Sequence, residues 1–146
     1  CIPFRDAMAF NSIGLVTGDK SVTLKIFSEG LGLTFQEFGK GEHLETTTAS
    51  GVRIMLDTVT LMREIKPEYK FMPEACSIHL GFECSKPAEV DDLCSKLKAA
   101  GAAVEKEPWD AFWGQRYATL REPASGVILD LFATLPEDAD AKKPKT

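Results

Sequence analysis

The chain has 146 residues, 44% hydrophobic and 27% charged, a balance that supports one globular domain with a real core and excludes a disordered chain. No apolar run approaches the roughly 20 residues needed to cross a bilayer, so no membrane partner is expected. A formal charge of −5, with no basic cluster before the C-terminal tail, gives no footprint for a phosphate backbone, so no nucleic acid is expected either.

Cys1, Cys76, Cys84 and Cys94 lack the paired C-x-x-C spacing of a zinc or redox motif, and no stretch resembles a secretory signal. Reduced thiols in a cytoplasmic protein are the expectation.

In chain order, Ala9 to Val16 reads as a strand with Ile13 and Leu15 on one face and Ser12, Gly14 and Val16 on the other. Asp19 is placed to cap a helix over Lys20 to Glu29, whose apolar side is Val22, Ile26 and Phe27 and whose stop is Gly30. Three short strands follow, Thr34 to Phe38, His43 to Ala49 and Val52 to Asp57, separated by Gly39-Lys40-Gly41 and Ser50-Gly51, as in a meander. Val59 to Ala75, with Pro67 and Pro73, is then long enough for a linker, a crossover or a lid.

The second half repeats this order. A strand over Cys76 to Cys84 precedes a helix over Pro87 to Ala100, capped by Ser85, with Val90, Leu93 and Leu97 as its buried stripe and Gly101 as its stop. Strands near Val104 to Lys106, Arg116 to Arg121 and Val127 to Ala133 complete it, and Pro136 to Thr146 reads as a disordered tail. The expected organisation is one domain over residues 1–135, with modules at 9–58 and 76–133 and a connection at 59–75. Laid on one another, the halves place Ser12 opposite His79, Gly32 opposite Gly101, Gly51 opposite Gly126 and Met55 opposite Asp130.

Strand alternation turns Ile78, Leu80 and Phe82 toward the helix and Ser77, His79, Gly81 and Glu83 away from it. On the last strand Leu129 and Leu131 point one way and Ile128, Asp130 and Phe132 the other, which makes Asp130 a candidate cavity carboxylate. Tyr117, Thr119 and Arg121 share a face that offers a phenol, a hydroxyl and a guanidinium to a polar or anionic ligand. Both tryptophans, Trp109 and Trp113, lie in Pro108 to Gly114, read as a loop, where they could stack on a ligand or plug a sheet edge or dimer seam. With His43 and His79 as the only histidines, no nucleophile motif stands out, and no glycine-rich phosphate loop is present.

The segments Ser12-Ile13-Gly14-Leu15-Val16 with Asp19, Leu31-Gly32-Leu33, His79-Leu80-Gly81-Phe82-Glu83, Trp113-Gly114-Gln115-Arg116-Tyr117, Glu122-Pro123-Ala124-Ser125-Gly126 and Asp130-Leu131-Phe132 together resemble the vicinal oxygen chelate superfamily. That superfamily includes glyoxalase I, extradiol dioxygenases and bleomycin and fosfomycin resistance proteins. The resemblance implies an α+β fold of two βαβββ modules, each a half-barrel, around a shared cavity, often in a dimer. It also implies that Tyr117, Thr119 and Arg121 face the cavity and that loop aromatics such as Trp109 and Trp113 lie against flat rings of a ligand.

Enzymes of the superfamily bind a divalent metal at four positions that here look like Ser12, Met55, His79 and Asp130. A hydroxyl and a thioether are poor ligands for such ions, so only His79 and Asp130 qualify. Met55 instead suits adaptable packing against a ligand. The expected function is metal-independent binding of an aromatic or polar small molecule at a homodimer cleft by Met55, His79, Trp109, Trp113, Tyr117, Thr119, Arg121 and Asp130, with no cofactor. The alternative is a metal-dependent lyase, isomerase or dioxygenase using His79 and Asp130, with a further ligand such as Glu45, Asp57 or one from another chain.

Overall fold

The computed structural model describes residues 10–136. Ala9, where the first strand is expected to open, and the tail from residue 137 lie outside the described residues.

The first module runs β1 (Ser12–Thr17), α1 (Lys20–Leu24, continued by a π-helical segment Lys25–Gly30), β2 (Gln36–Phe38), β3 (His43–Thr47) and β4 (Arg53–Thr58). After α2 (Val59–Ile65) and a 3₁₀ turn (Pro73–Ala75), the second repeats the order with β5 (His79–Glu83), α3 (Pro87–Ala99), β6 (Ala103–Ala111), β7 (Gln115–Arg121) and β8 (Ile128–Thr134). The two sheets have equivalent orders, β1-β4-β3-β2 and β5-β8-β7-β6, with the first and last strand of each module paired in parallel. The duplicated βαβββ architecture expected from the sequence is therefore present.

Local chemistry explains the helices. The Asp19 carboxylate accepts from the backbone N–H of Ser21 and Val22, satisfying donors that the first turn of α1 leaves open. At α3 the expected cap moves. The N-cap is Lys86, with no side-chain bond, and the Ser85 N–H donates to Glu89 at 2.8 Å. Pro87 still fits the first turn, where its missing N–H costs nothing.

One face of each sheet and both helices share a single core. Leu15, Leu44, Ile54 and Leu56 from the first sheet join Ile26 and Phe27, and Leu80, Leu120, Leu129 and Leu131 from the second join Val90, Cys94 and Leu97. Each such side chain fully buried contributes about 1.5–3 kcal/mol. Gly30 lets the two helices touch, because a Cβ there would stand 2.5 Å from Leu97 Cδ2. Alternation then leaves the opposite faces of both sheets outside this core.

Several boundaries differ from the sequence reading. The strand expected from Thr34 shrinks to Gln36–Phe38, all three residues exposed. The long connection contains α2, and Ile78 precedes β5 and is 53% exposed instead of facing the helix. β6 extends to Ala111, so Trp109 is a strand residue, not a loop residue. The connection is a crossover whose end is fastened at the turn between β7 and β8: the Pro73 carbonyl packs on Gly126, and Arg121 Nη1 donates to Cys76 O and Gly126 O.

Candidate functional site

The second sheet carries the site because β8 runs between β5 and β7, setting Gly81, Asp130 and Thr119 in one row. Asp130 is buried in mid-strand, where a carboxylate needs hydrogen-bond partners. His79 Nδ1 lies 2.7 Å from Asp130 Oδ2, and Thr119 Oγ1 donates to Oδ1 at 3.0 Å. The His79 side chain remains 52% exposed.

The next row is aromatic. Tyr117 and Phe132 are paired across β7 and β8 with near-parallel rings, 17° apart with centroids at 6.1 Å. Trp113 meets Tyr117 edge-on at 5.4 Å, Trp109 meets Trp113 at 5.5 Å, and Phe112 meets Trp113 at 4.9 Å. Such pairs contribute about 0.5–1.5 kcal/mol each beyond burial. The β6–β7 turn that holds this row closes with Gly114 at φ +88°, and Trp113 Nε1 donates to Gln115 Oε1 at 2.8 Å. Phe112 is 90% exposed at the tip, so the aromatics form an open ladder rather than a plug.

Two features tie the rows together. A Cβ at Gly81 would lie 3.2 Å from Phe132 Cε1, so the glycine gives the ring its seat. Burial, then the negative charge of Asp130 and a hydrogen bond to it, push the Tyr117 phenol up to about 12, which keeps it protonated at neutral pH.

Positioning comes from the residue 122–126 turn. Glu122 is fully buried and accepts from the N–H of Ala124 and Ser125, at 2.9 and 2.7 Å, and from the Ser125 hydroxyl. Gly126 follows at φ +80° with the Pro73 carbonyl packed against it. This clasp launches β8 and hence Asp130.

The first sheet presents a different face. His43 Nδ1 lies 2.5 Å from Asp57 and Nε2 3.1 Å from Glu45, so the ring bridges two carboxylates. Hydrogen bonding to Asp57, then to Glu45, raises the His43 pKa against a smaller opposing effect of burial. Arg53 Nη2 reaches Glu45 at 3.2 Å and Met55 Sδ at 3.1 Å.

Of the residues expected at the site, His79, Thr119, Asp130, Tyr117, Trp109 and Trp113 come together on one sheet face. Arg121 does not offer a free guanidinium, because Glu105 and the carbonyls of Cys76 and Gly126 occupy it. Met55 belongs to the first-sheet cluster. Arg116 holds Asp91 and Asp110 rather than Asp130. Sequence reasoning missed the His43 bridge, the Glu122 clasp and the Gly81 seat. The hydroxyl and carboxylate three residues apart in Glu122-Pro123-Ala124-Ser125-Gly126 are the signal that could have revealed the clasp.

The donor set does not fit a divalent metal. Of the four positions that the resemblance implies, Ser12 and Met55 supply poor donors, and the Asp130 carboxylate already accepts from both His79 and Thr119. Glu45 and Asp57, the candidate further ligands, are spent on opposite nitrogens of His43. Among the described residues no group of three His, Cys, Asp or Glu side chains converges on a point that could hold an ion.

Comparison with known proteins agrees with this architecture. A glyoxalase/bleomycin resistance protein/dioxygenase from Nocardioides shares 24% identity, a TM-score of 0.75, 97% of this chain and 91% of its own. A glyoxalase-related enzyme from Fulvimarina pelagi shares 20% identity and a TM-score of 0.75 over 88% of this chain and 89% of its own. A virulence protein from Salmonella typhimurium shares 21% identity and a TM-score of 0.61 over 90% of this chain and all of its own. These likenesses show the fold, and no curated protein sequence matches the chain. With the model of the family matching residues 9–131, almost the whole described domain, the chain belongs to the Glyoxalase/Bleomycin resistance protein/Dioxygenase superfamily.

Proposed function

We propose that the protein binds a flat aromatic small molecule without a metal, on the exposed face of the second sheet. The observation that carries this reading is the continuity of the aromatic ladder from Phe112 to Phe132 with the Asp130, His79 and Thr119 group. A ring stacks on the ladder while a polar substituent reaches the imidazole and hydroxyl, the division of labour expected of a small-molecule site. Because Arg121 is occupied, the polar end suits a hydrogen-bonding group better than a bare anion.

The ladder is open on one side, and exposed Phe112, Ile65 and Ile78 favour a homodimer whose first-sheet face, with adaptable Met55, supplies the other wall. Free Cys76, Cys84 and Cys94 favour a reducing, cytoplasmic setting. No helix among the described residues is long and apolar enough to cross a membrane.

The test is a tryptophan-fluorescence titration of chelator-treated protein with 4-nitrophenol, indole and quinoline, paired with metal analysis and native mass of protein purified without chelators. Saturable quenching by a metal-free dimer is expected. Stoichiometric metal that is lost in His79→Ala, with binding that follows the metal, would favour the lyase, isomerase or dioxygenase reading instead.

A further inference from the structure

We infer that the His79–Asp130 pair is a general base that directs water onto small aryl esters seated on the aromatic ladder. The inference rests on the binding reading above only for where the ring sits.

The two histidines differ in the property that decides reactivity. His43 has both ring nitrogens engaged by carboxylates. His79 engages only Nδ1, and because a carboxylate can only accept, that nitrogen carries the hydrogen, so that in the neutral ring Nε2 is the nitrogen with the lone pair. Among the described residues nothing bonds Nε2, and the side chain is half exposed. A buried carboxylate that fixes the tautomer and the aim of an accessible imidazole is the orienting half of a base–acid dyad. Asp130 is itself held by Thr119, which fixes the carboxylate that aims the imidazole.

The neighbouring wall supplies the substrate class. The Phe132 ring lies over Gly81, two residues along the same strand face from His79, a spacing of about 7 Å. An arene on this wall brings a short acyl arm within reach of water on Nε2.

In the step itself, Nε2 takes a proton from water as the water oxygen bonds to the acyl carbon. The bond from that carbon to the aryl oxygen then breaks and the aryl oxide leaves with the electron pair. The imidazolium releases its proton to solvent, giving a carboxylic acid and a phenol, with no oxidant, reductant or metal consumed. Asp130 does not touch the ester; it is a positioning residue.

The test uses the full chain in chelator with 4-nitrophenyl acetate, following 4-nitrophenolate release. A saturable rate is expected that falls at least about tenfold in His79→Ala and His79→Gln and returns on adding imidazole, within the range of general-base effects. Asp130→Asn should lower kcat at unchanged KM, because an amide can donate to Nδ1 and reverse the tautomer. A rate that survives both His79 variants, or one no faster than an equal concentration of free imidazole, overturns the inference. Quenching by 4-nitrophenol without ester turnover overturns it and leaves the binding reading standing. Turnover that depends on His79 with no 4-nitrophenol binding supports the base and removes the binding reading.

Discussion

The two modules share a strand order, yet their outward faces have gone separate ways. In the first, His43 closes a circuit of opposite charges with Asp57, Glu45 and Arg53, so that these four groups answer one another. In the second, Asp130 answers His79 and Thr119 from below while the imidazole and the aromatic ladder stay accessible. The pseudo-equivalent pairs make the contrast sharp: Met55 stands where Asp130 does, and Ser12 where His79 does. Duplication preserved the frame, while the accessible imidazole and the aromatic ladder lie in one copy.

The largest expected break between the copies lies at their equivalent turn glycines. Gly126→Ala would force a Cβ to within 1.9 Å of the Pro73 oxygen at φ +80°, and should cost more than about 3 kcal/mol in chemical denaturation. Gly51→Ala, at φ +91° with open space around it, should cost only about 1 kcal/mol. Equal losses at both sites would mean that the crossover is not fastened at Gly126.

Removing the carboxylate of Asp130 comes next. Asp130→Ala strips a buried acceptor from His79 and Thr119, and should destabilise the domain by about 1–3 kcal/mol in the same assay while freeing the imidazole to rotate. A stability indistinguishable from the wild type would remove Asp130 from the centre of the site.

A smaller, pH-dependent effect should single out the first module. The His43 pKa is raised above its ordinary 6.5, so the charged bridge stabilises the fold fully below that value and its contribution is lost as pH rises through the folded-state pKa. The melting-temperature gap between wild type and His43→Gln should therefore shrink as pH climbs from mildly acidic to alkaline, corresponding to at most about 1 kcal/mol for so exposed a pair. A gap that widens with pH would reverse the assignment.

The smallest effect separates the two strand glycines. Gly14→Ala meets nothing within 4 Å and should leave stability within about 0.5 kcal/mol of the wild type. Gly81→Ala pushes on Phe132 and should weaken aromatic ligand binding at nearly unchanged stability, measured by fluorescence titration. Equal binding by both variants would take the Phe132 seat out of the site.

How much of this was legible in the sequence depends on how local the determinants are. Period-two alternation set His79 and Asp130 opposite the apolar faces of their strands and Tyr117 with Thr119 on one face of theirs, the resemblance turned that last face to the cavity, and the paired helical stripes and glycine stops gave the duplicated frame. The helix α2 escaped notice because it is only seven residues long and follows β4 directly, with no turn residue between Thr58 and Val59 to mark its start. Trp109 was placed in a loop because β6 shifts register between Val104 and Lys106 and again before Trp109, which breaks alternation, and Pro108 looks like a breaker. The His43 bridge and the diversion of Arg121 depend on partners on other strands or in the crossover, which a linear reading does not order.

The central claim, that the second sheet binds an aromatic ligand without metal, is met most directly by calorimetric titration of 4-nitrophenol into chelator-treated wild type, Tyr117→Ala and Met55→Ala. The account predicts binding by the wild type, a loss of about tenfold or more in Tyr117→Ala from the removed stacking partner, and a change below about threefold in Met55→Ala, where an adaptable side chain is replaced. Binding that appears only after a divalent metal is added, or that is abolished by Met55→Ala and untouched by Tyr117→Ala, would contradict it.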